Sequence, residues 1–114
     1  MSATIQDVRS YWNARPCNVR HGQSPVGTIA WSQEVTARKY GVEPHIRGFA
    51  QFKRWRGKRV LEVGCGIGTD TLEFLRAGAR VSAVDLSEES LKLACKRVEK
   101  ESFSEANFRR GAAG

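Results

Sequence analysis

VLEVGCGIGTD, residues Val60–Asp70, passes from a short apolar, β-branched run directly into three glycines spaced two apart: Gly64, Gly66 and Gly68. A strand that turns through glycines into a helix lets a ligand approach the backbone and meet the free amides of the helix N-terminus. The pattern alone is weak, and the feature that strengthens it is an acid at the end of the next strand, placed to accept hydrogen bonds from ribose hydroxyls. Asp85, 21 residues after Gly64, is such an acid. Its carboxylate accepts from two adjacent hydroxyls better than any neutral side chain does.

The surrounding pattern supports this reading. RVLEV (59–63) reads as a buried strand, RVSAV (80–84) as a second strand and ANFRR (106–110) as a third. Thr69–Ala77 reads as a helix with Leu72 and Leu75 inward, ended by Gly78. Ser87 is a good N-cap for a further helix, with Glu88 and Glu89 complementing its dipole and Leu91, Ala94, Cys95 and Val98 on one face. Strand and helix alternating in this order imply a parallel sheet, an α/β Rossmann-like arrangement.

Upstream, Thr4–Ala14 reads as a helix ended by Pro16, with Ile5, Val8, Tyr11 and Trp12 on one face. Cys17–Thr28 is a loop by composition. Ser32–Tyr40 is a second helix closed by Gly41, and Pro44 opens a third with Ile46, Phe49 and Ala50 inward. The organisation expected is a helical cap over 1–57 and the first half of a Rossmann-like domain over 58–114.

The 114-residue chain is 40% hydrophobic and 27% charged, an ordinary globular balance. No apolar run approaches membrane-spanning length and no signal-peptide core is evident, so the expected location is cytoplasmic and no membrane partner is expected. The three cysteines have no metal-ligand spacing. Cys65 reads as a small residue filling a tight turn and Cys95 as core. Net charge is +7, with residues 1–59 carrying +8 and residues 60–114 carrying −1. The densest cluster, FKRWRGKR (52–59), reads as a solvated turn with Trp55 tucked against the sheet, and nucleic acid is disfavoured as a partner because no nucleic-acid motif accompanies it.

Spacing narrows the nucleoside. The dinucleotide fingerprint places glycines at its first, third and sixth positions, whereas here the sixth is Thr69. Glu62, two residues before the first glycine, would repel a pyrophosphate but suits a ligand carrying an ammonium and a sulfonium. Pairing of Glu62 with a neighbouring Arg or Lys is the competing reading.

RVLEVGCGIGTDT followed by AVDLSEESLKLA resembles the first two motifs of the class I S-adenosylmethionine-dependent methyltransferases. The upstream YWNARPCNVRH, PVGT and ARKYGVEPHI resemble the N-terminal region of a bacterial branch of that family. The resemblance implies that Gly64, Cys65, Gly66 and Gly68 wrap the methionine part of S-adenosylmethionine and that Glu62 helps orient its amino group. It further implies that Asp85 holds the ribose, that Leu86 packs on adenine, and that Tyr11, Trp12 and Arg15 are lid residues. S-adenosylhomocysteine would be the product, and the methyl acceptor a small molecule. His21, Tyr11 and Tyr40 are conceivable bases among which the sequence does not choose.

The family's sheet has seven strands, and this chain supplies at most three, so an N-terminal fragment of a larger gene product is expected. Gly111 matches the glycine that follows the family's third strand, but Ala112 stands where a polar residue contacts adenine. The strand at 60–63 is then left with an open edge, covered by a second copy or by the N-terminal helices. The alternative function is an inactive, truncated cofactor-binding-like module acting through oligomerisation.

Overall fold

The computed structural model describes residues 5–6, 23–103 and 106–111. Apart from helical Ile5 and Gln6, the helix expected over Thr4–Ala14, with Tyr11, Trp12 and Arg15, lies outside the described residues, as do His21 and Ala112.

Three strands, β1 (Arg59–Val63), β2 (Arg80–Asp85) and β3 (Ala106–Arg110), form one parallel sheet in the order β1-β2-β3. In register, Val60 lies beside Val81 and Ala83 beside Phe108. The connections are helical, as parallel neighbours require. Helix α3 (Thr69–Arg76) joins β1 to β2, and α4 (Glu88–Lys100) joins β2 to β3. Both begin where expected, and Ser87 caps α4 by accepting from the Ser90 amide at 3.1 Å. The elements α1 (Ile29–Val42) and α2 (His45–Ala50) and a 3₁₀ turn (Phe52–Trp55) precede the sheet.

Leu72 and Leu75 of α3 and Leu91 and Val98 of α4 pack on Val81 and Ala83, forming the main core on one face of the sheet. On the opposite face Leu61 and Val63 are 67% and 54% exposed, with Ser82, Asn107 and Arg109 exposed beside them. Among the described residues the sheet is thus covered on one side only, so β1 is not the buried strand expected, and its one hydrogen-bonded neighbour there is β2. No helix among the described residues is long and apolar enough to cross a membrane.

Four local expectations are corrected. Gly41 does not close α1. The helix runs through it to Val42 and stops before Pro44, which disfavours helical backbone at Glu43. Phe49 is not inward but 89% exposed, while Ile46 and Ala50 are half-buried. The backbone turns left-handed at Gln51 (φ +49°), ending α2 after six residues and delivering Phe52 to the core instead, where it stands edge-on to Tyr40 and Phe74. Trp55 is not tucked against the sheet. It stays exposed, with its indole N–H donated to the Ala50 carbonyl at 3.1 Å. Cys95 is half-buried, because the stripe facing the protein runs through Ser90, Leu91, Ala94, Arg97 and Val98.

Candidate functional site

The glycine turn leaves the end of β1 and is tied at once to β2: the amides of Gly64 and Cys65 both donate to the Val84 carbonyl, at 2.8 and 3.1 Å. Gly64, Gly66 and Gly68 all have positive φ (73°, 56° and 82°), but their surroundings differ. A Cβ at Gly64 or Gly66 would meet nothing within 4 Å, so these two face open space. A Cβ at Gly68 would lie 3.0 Å from the Ala94 Cβ. What comes too close at Gly68 is the protein itself, helix α4.

Asp85 completes the turn. Its Oδ2 accepts from the Gly66 amide at 2.8 Å and its Oδ1 from the Ser87 amide at 2.9 Å. The acid is thereby held against the loop, with each oxygen retaining a further lone pair. An open glycine cradle bonded to a carboxylate at the C-terminal end of the sheet suits a ligand with vicinal hydroxyls. Leu86 follows directly, half-buried at the start of the turn into α4.

Beneath the loop lies a polar cluster. Glu62, half-buried, accepts a hydrogen bond from the Thr71 hydroxyl and makes no ion pair with Arg or Lys among the described residues, against the competing reading of this residue. Burial, reinforced by the nearby Asp70 and Asp85 carboxylates, pushes its pKa from 4.5 up to about 7, against the opposing pull of the Thr71 hydrogen bond and Lys39. Asp70, in the first turn of α3, receives Lys39 Nζ at 3.0 Å and the Tyr40 hydroxyl at 2.6 Å, which anchors α1 to the site. Burial and Asp70 raise the Tyr40 pKa strongly, so this hydroxyl is a donor and not a base. The Cys65 thiol, buried near Glu62 and Asp85, is pushed up to about 12, which leaves it a space-filling group rather than a nucleophile.

The second anchor is Arg97 of α4, 2% exposed. Its guanidinium donates to Ser32 Oγ (2.6 Å), the Ile67 carbonyl (3.0 Å), Thr69 Oγ1 (2.7 Å), the Ser32 carbonyl (3.0 Å) and Thr36 Oγ1 (2.9 Å). Burial lowers its pKa to about 10, so it stays charged at neutral pH. Beside it, Ile67 of the loop packs into Trp31 and Val35 of α1. Asp70 and Arg97 were not singled out from the sequence. The only local signal for Arg97 is its position three residues after Ala94 on an apolar stripe.

The Glu62 environment predicts a pH dependence. The folded chain holds the Glu62 proton up to about pH 7, the unfolded chain only to about 4.5. This contribution to stability is therefore complete below about pH 4.5 and lost as the pH rises through 7, a change of about 3 kcal/mol. Glu62→Gln should flatten the decline. Thermal unfolding at pH 5 and pH 8 checks it, with the variant melting on the order of 10 °C above the parent at the higher pH.

Residues 60–114 match a family described as methyltransferase domain. The ubiquinone biosynthesis O-methyltransferase of Methylocella silvestris is 30% identical over 95 residues, which cover 82% of this chain and 37% of that protein. Magnesium protoporphyrin IX methyltransferase of Synechocystis PCC 6803, solved with bound SAM, superposes with a TM-score of 0.67 at 21% identity, covering 98% of this chain and 57% of that one. Geranyl diphosphate C-methyltransferase of Streptomyces coelicolor A3(2), solved with S-adenosyl-L-homocysteine, gives 0.67 at 23% identity over 98% and 50%. The chain thus spans between about a third and just over half the length of these proteins.

Proposed function

This chain has the class I S-adenosylmethionine-dependent methyltransferase fold, and from that premise we propose that its glycine turn and Asp85 bind S-adenosylmethionine for methyl transfer to a small-molecule acceptor. The observation that carries this reading is the 2.8 Å bond from the Gly66 amide to Asp85, which joins an open glycine cradle to a ribose-type acceptor. Gly64, Cys65, Gly66 and Gly68 wrap the methionine part, Glu62 orients the amino group from beneath, Asp85 accepts from the ribose and Leu86 packs on adenine. Tyr11, Trp12 and Arg15, from the cap assigned to residues 1–57, close over the cofactor held by 58–114.

The bound cofactor supplies an already activated methyl group, so the residues of this chain contribute position more than chemistry. Glu62, poised near pH 7, loses its proton when an ammonium settles beside it. Cofactor affinity should then rise with pH through 7. The acceptor is inferred to be small because the relatives named above act on small molecules.

Titration calorimetry with S-adenosylhomocysteine tests the reading. The parent should bind, and Asp85→Ala should weaken binding by about tenfold to a hundredfold, the loss of hydrogen bonds to a charged acceptor. Because Asp85 also holds two backbone amides, circular dichroism of the variant accompanies the titration. A folded parent that binds no S-adenosylhomocysteine would overturn the proposal.

The exposed Leu61 and Val63, on a strand bonded along one edge only among the described residues, favour a second reading, a non-catalytic module that pairs through β1. Light scattering separates the two: that reading requires a dimer, and Leu61→Lys should return it to monomer.

A further inference from the structure

Lys39, Arg47, Arg76, Lys92 and Arg110 each pair with a carboxylate. Lys53, Arg54, Arg56, Lys58 and Arg59 pair with none among the described residues, although all five are exposed within seven consecutive positions. From residue 44 to residue 61 the sequence contains no Asp or Glu. Such a cluster repels itself, and no carboxylate among the described residues offsets it by pairing.

Two aromatic side chains accompany it. Trp55 is 38% exposed, and its indole N–H is already satisfied by Ala50, which leaves the ring as its outward feature. The Arg54 guanidinium lies 5.2 Å from the centre of that ring. Phe49, at the end of α2, is 89% exposed. Beside the turn is a groove of about 520 Å³, lined by Arg47, Phe52, Lys53, Arg54, Glu73 and Arg76. Glu73 there is occupied by Arg47 and Arg76. The turn enters β1 at Arg59, whereas the glycine turn leaves it after Val63, so the two lie at opposite ends of the strand, roughly 13 Å apart.

We propose that the basic turn Lys53–Arg59 and the groove beside it bind single-stranded nucleic acid, at a site separate from the glycine turn. Lys53, Arg56, Lys58 and Arg59 neutralise successive phosphates, and Trp55 and Phe49 offer faces on which bases stack. The composition favours a nucleic-acid strand over a lipid surface. Five cations accompany only two exposed apolar side chains, which are separated by the buried Phe52 and form no continuous face for insertion.

The test is fluorescence anisotropy of the whole chain with labelled oligo(dT) and oligo(U) of about a dozen nucleotides, over a salt series. Vesicles of phosphatidylglycerol and phosphatidylcholine are run in parallel. Expected is micromolar binding, on the order of 1–100 µM at low salt, weakening with salt by a log–log slope of about −0.7 for each phosphate neutralised. Lys53→Ala/Lys58→Ala should make that slope shallower. Trp55→Ala should weaken binding about tenfold and leave the slope unchanged. All these side chains are exposed, so the variants keep the core intact. No oligonucleotide binding at low salt would overturn the proposal. So would equal binding by parent and variants, or binding to vesicles without binding to oligonucleotides.

Discussion

Arg97→Met should destabilise the chain by about 3–5 kcal/mol, a large fraction of the stability of a small domain. The methionine fills much of the volume but donates nothing, so two backbone carbonyls, of Ile67 and Ser32, and the hydroxyls of Ser32, Thr36 and Thr69 lose a buried donor together. A buried arginine is usually matched by a carboxylate. Here its five donor contacts are all to neutral oxygens, and the charge is tolerated because every N–H direction is used. Urea unfolding monitored by circular dichroism measures the loss. Arg97→Lys should recover only a minor part, because an ammonium cannot reach oxygens on α1, the glycine turn and α3 at once.

Gly68→Ala should be the next most damaging change, at about 2–4 kcal/mol. Its new methyl would stand 3.0 Å from the Ala94 Cβ and 3.4 Å from its Cα, which forces α3 and α4 apart, and the backbone there has φ +82°. Gly64→Ala is the comparison. At φ +73° it bears a similar backbone strain but meets open space, so about 1 kcal/mol is expected. Paired urea titrations of the two variants separate steric contact from conformational strain. If Gly64→Ala proved equally damaging, helix contact would not be what Gly68 serves.

The sheet and its glycine turn were legible because their signals are local. RVLEV and RVSAV alternate or run apolar over five residues, Ser87 precedes its helix directly, and Asp85 sits at a spacing set by one strand–helix–strand unit. The anchoring of the turn was not legible. Arg97 meets Ser32 across 65 positions, and Tyr40 meets Asp70 across 30, so no window of sequence contains both partners. The exchange of Phe49 for Phe52 as the core aromatic turns on one left-handed residue, Gln51, a conformation its side chain does not announce. Cys95 is hidden from sequence for a related reason: the helix faces the protein along a stripe that includes the charged Arg97, which a count of apolar positions excludes.

The one-sided hydrogen bonding of β1 sets where the molecule opens first. Strand β2 is bonded on both flanks, whereas β1 is bonded only to β2 among the described residues, and it is β1 that carries the glycine turn. In amide hydrogen exchange β2 should hold its protons longest, with the turn released earlier through fluctuations of β1. Whatever the cradle grips is therefore held by the more weakly secured strand. Occupancy of the cradle should slow exchange at Gly64, Cys65 and Gly66, whose local opening must first release the ligand.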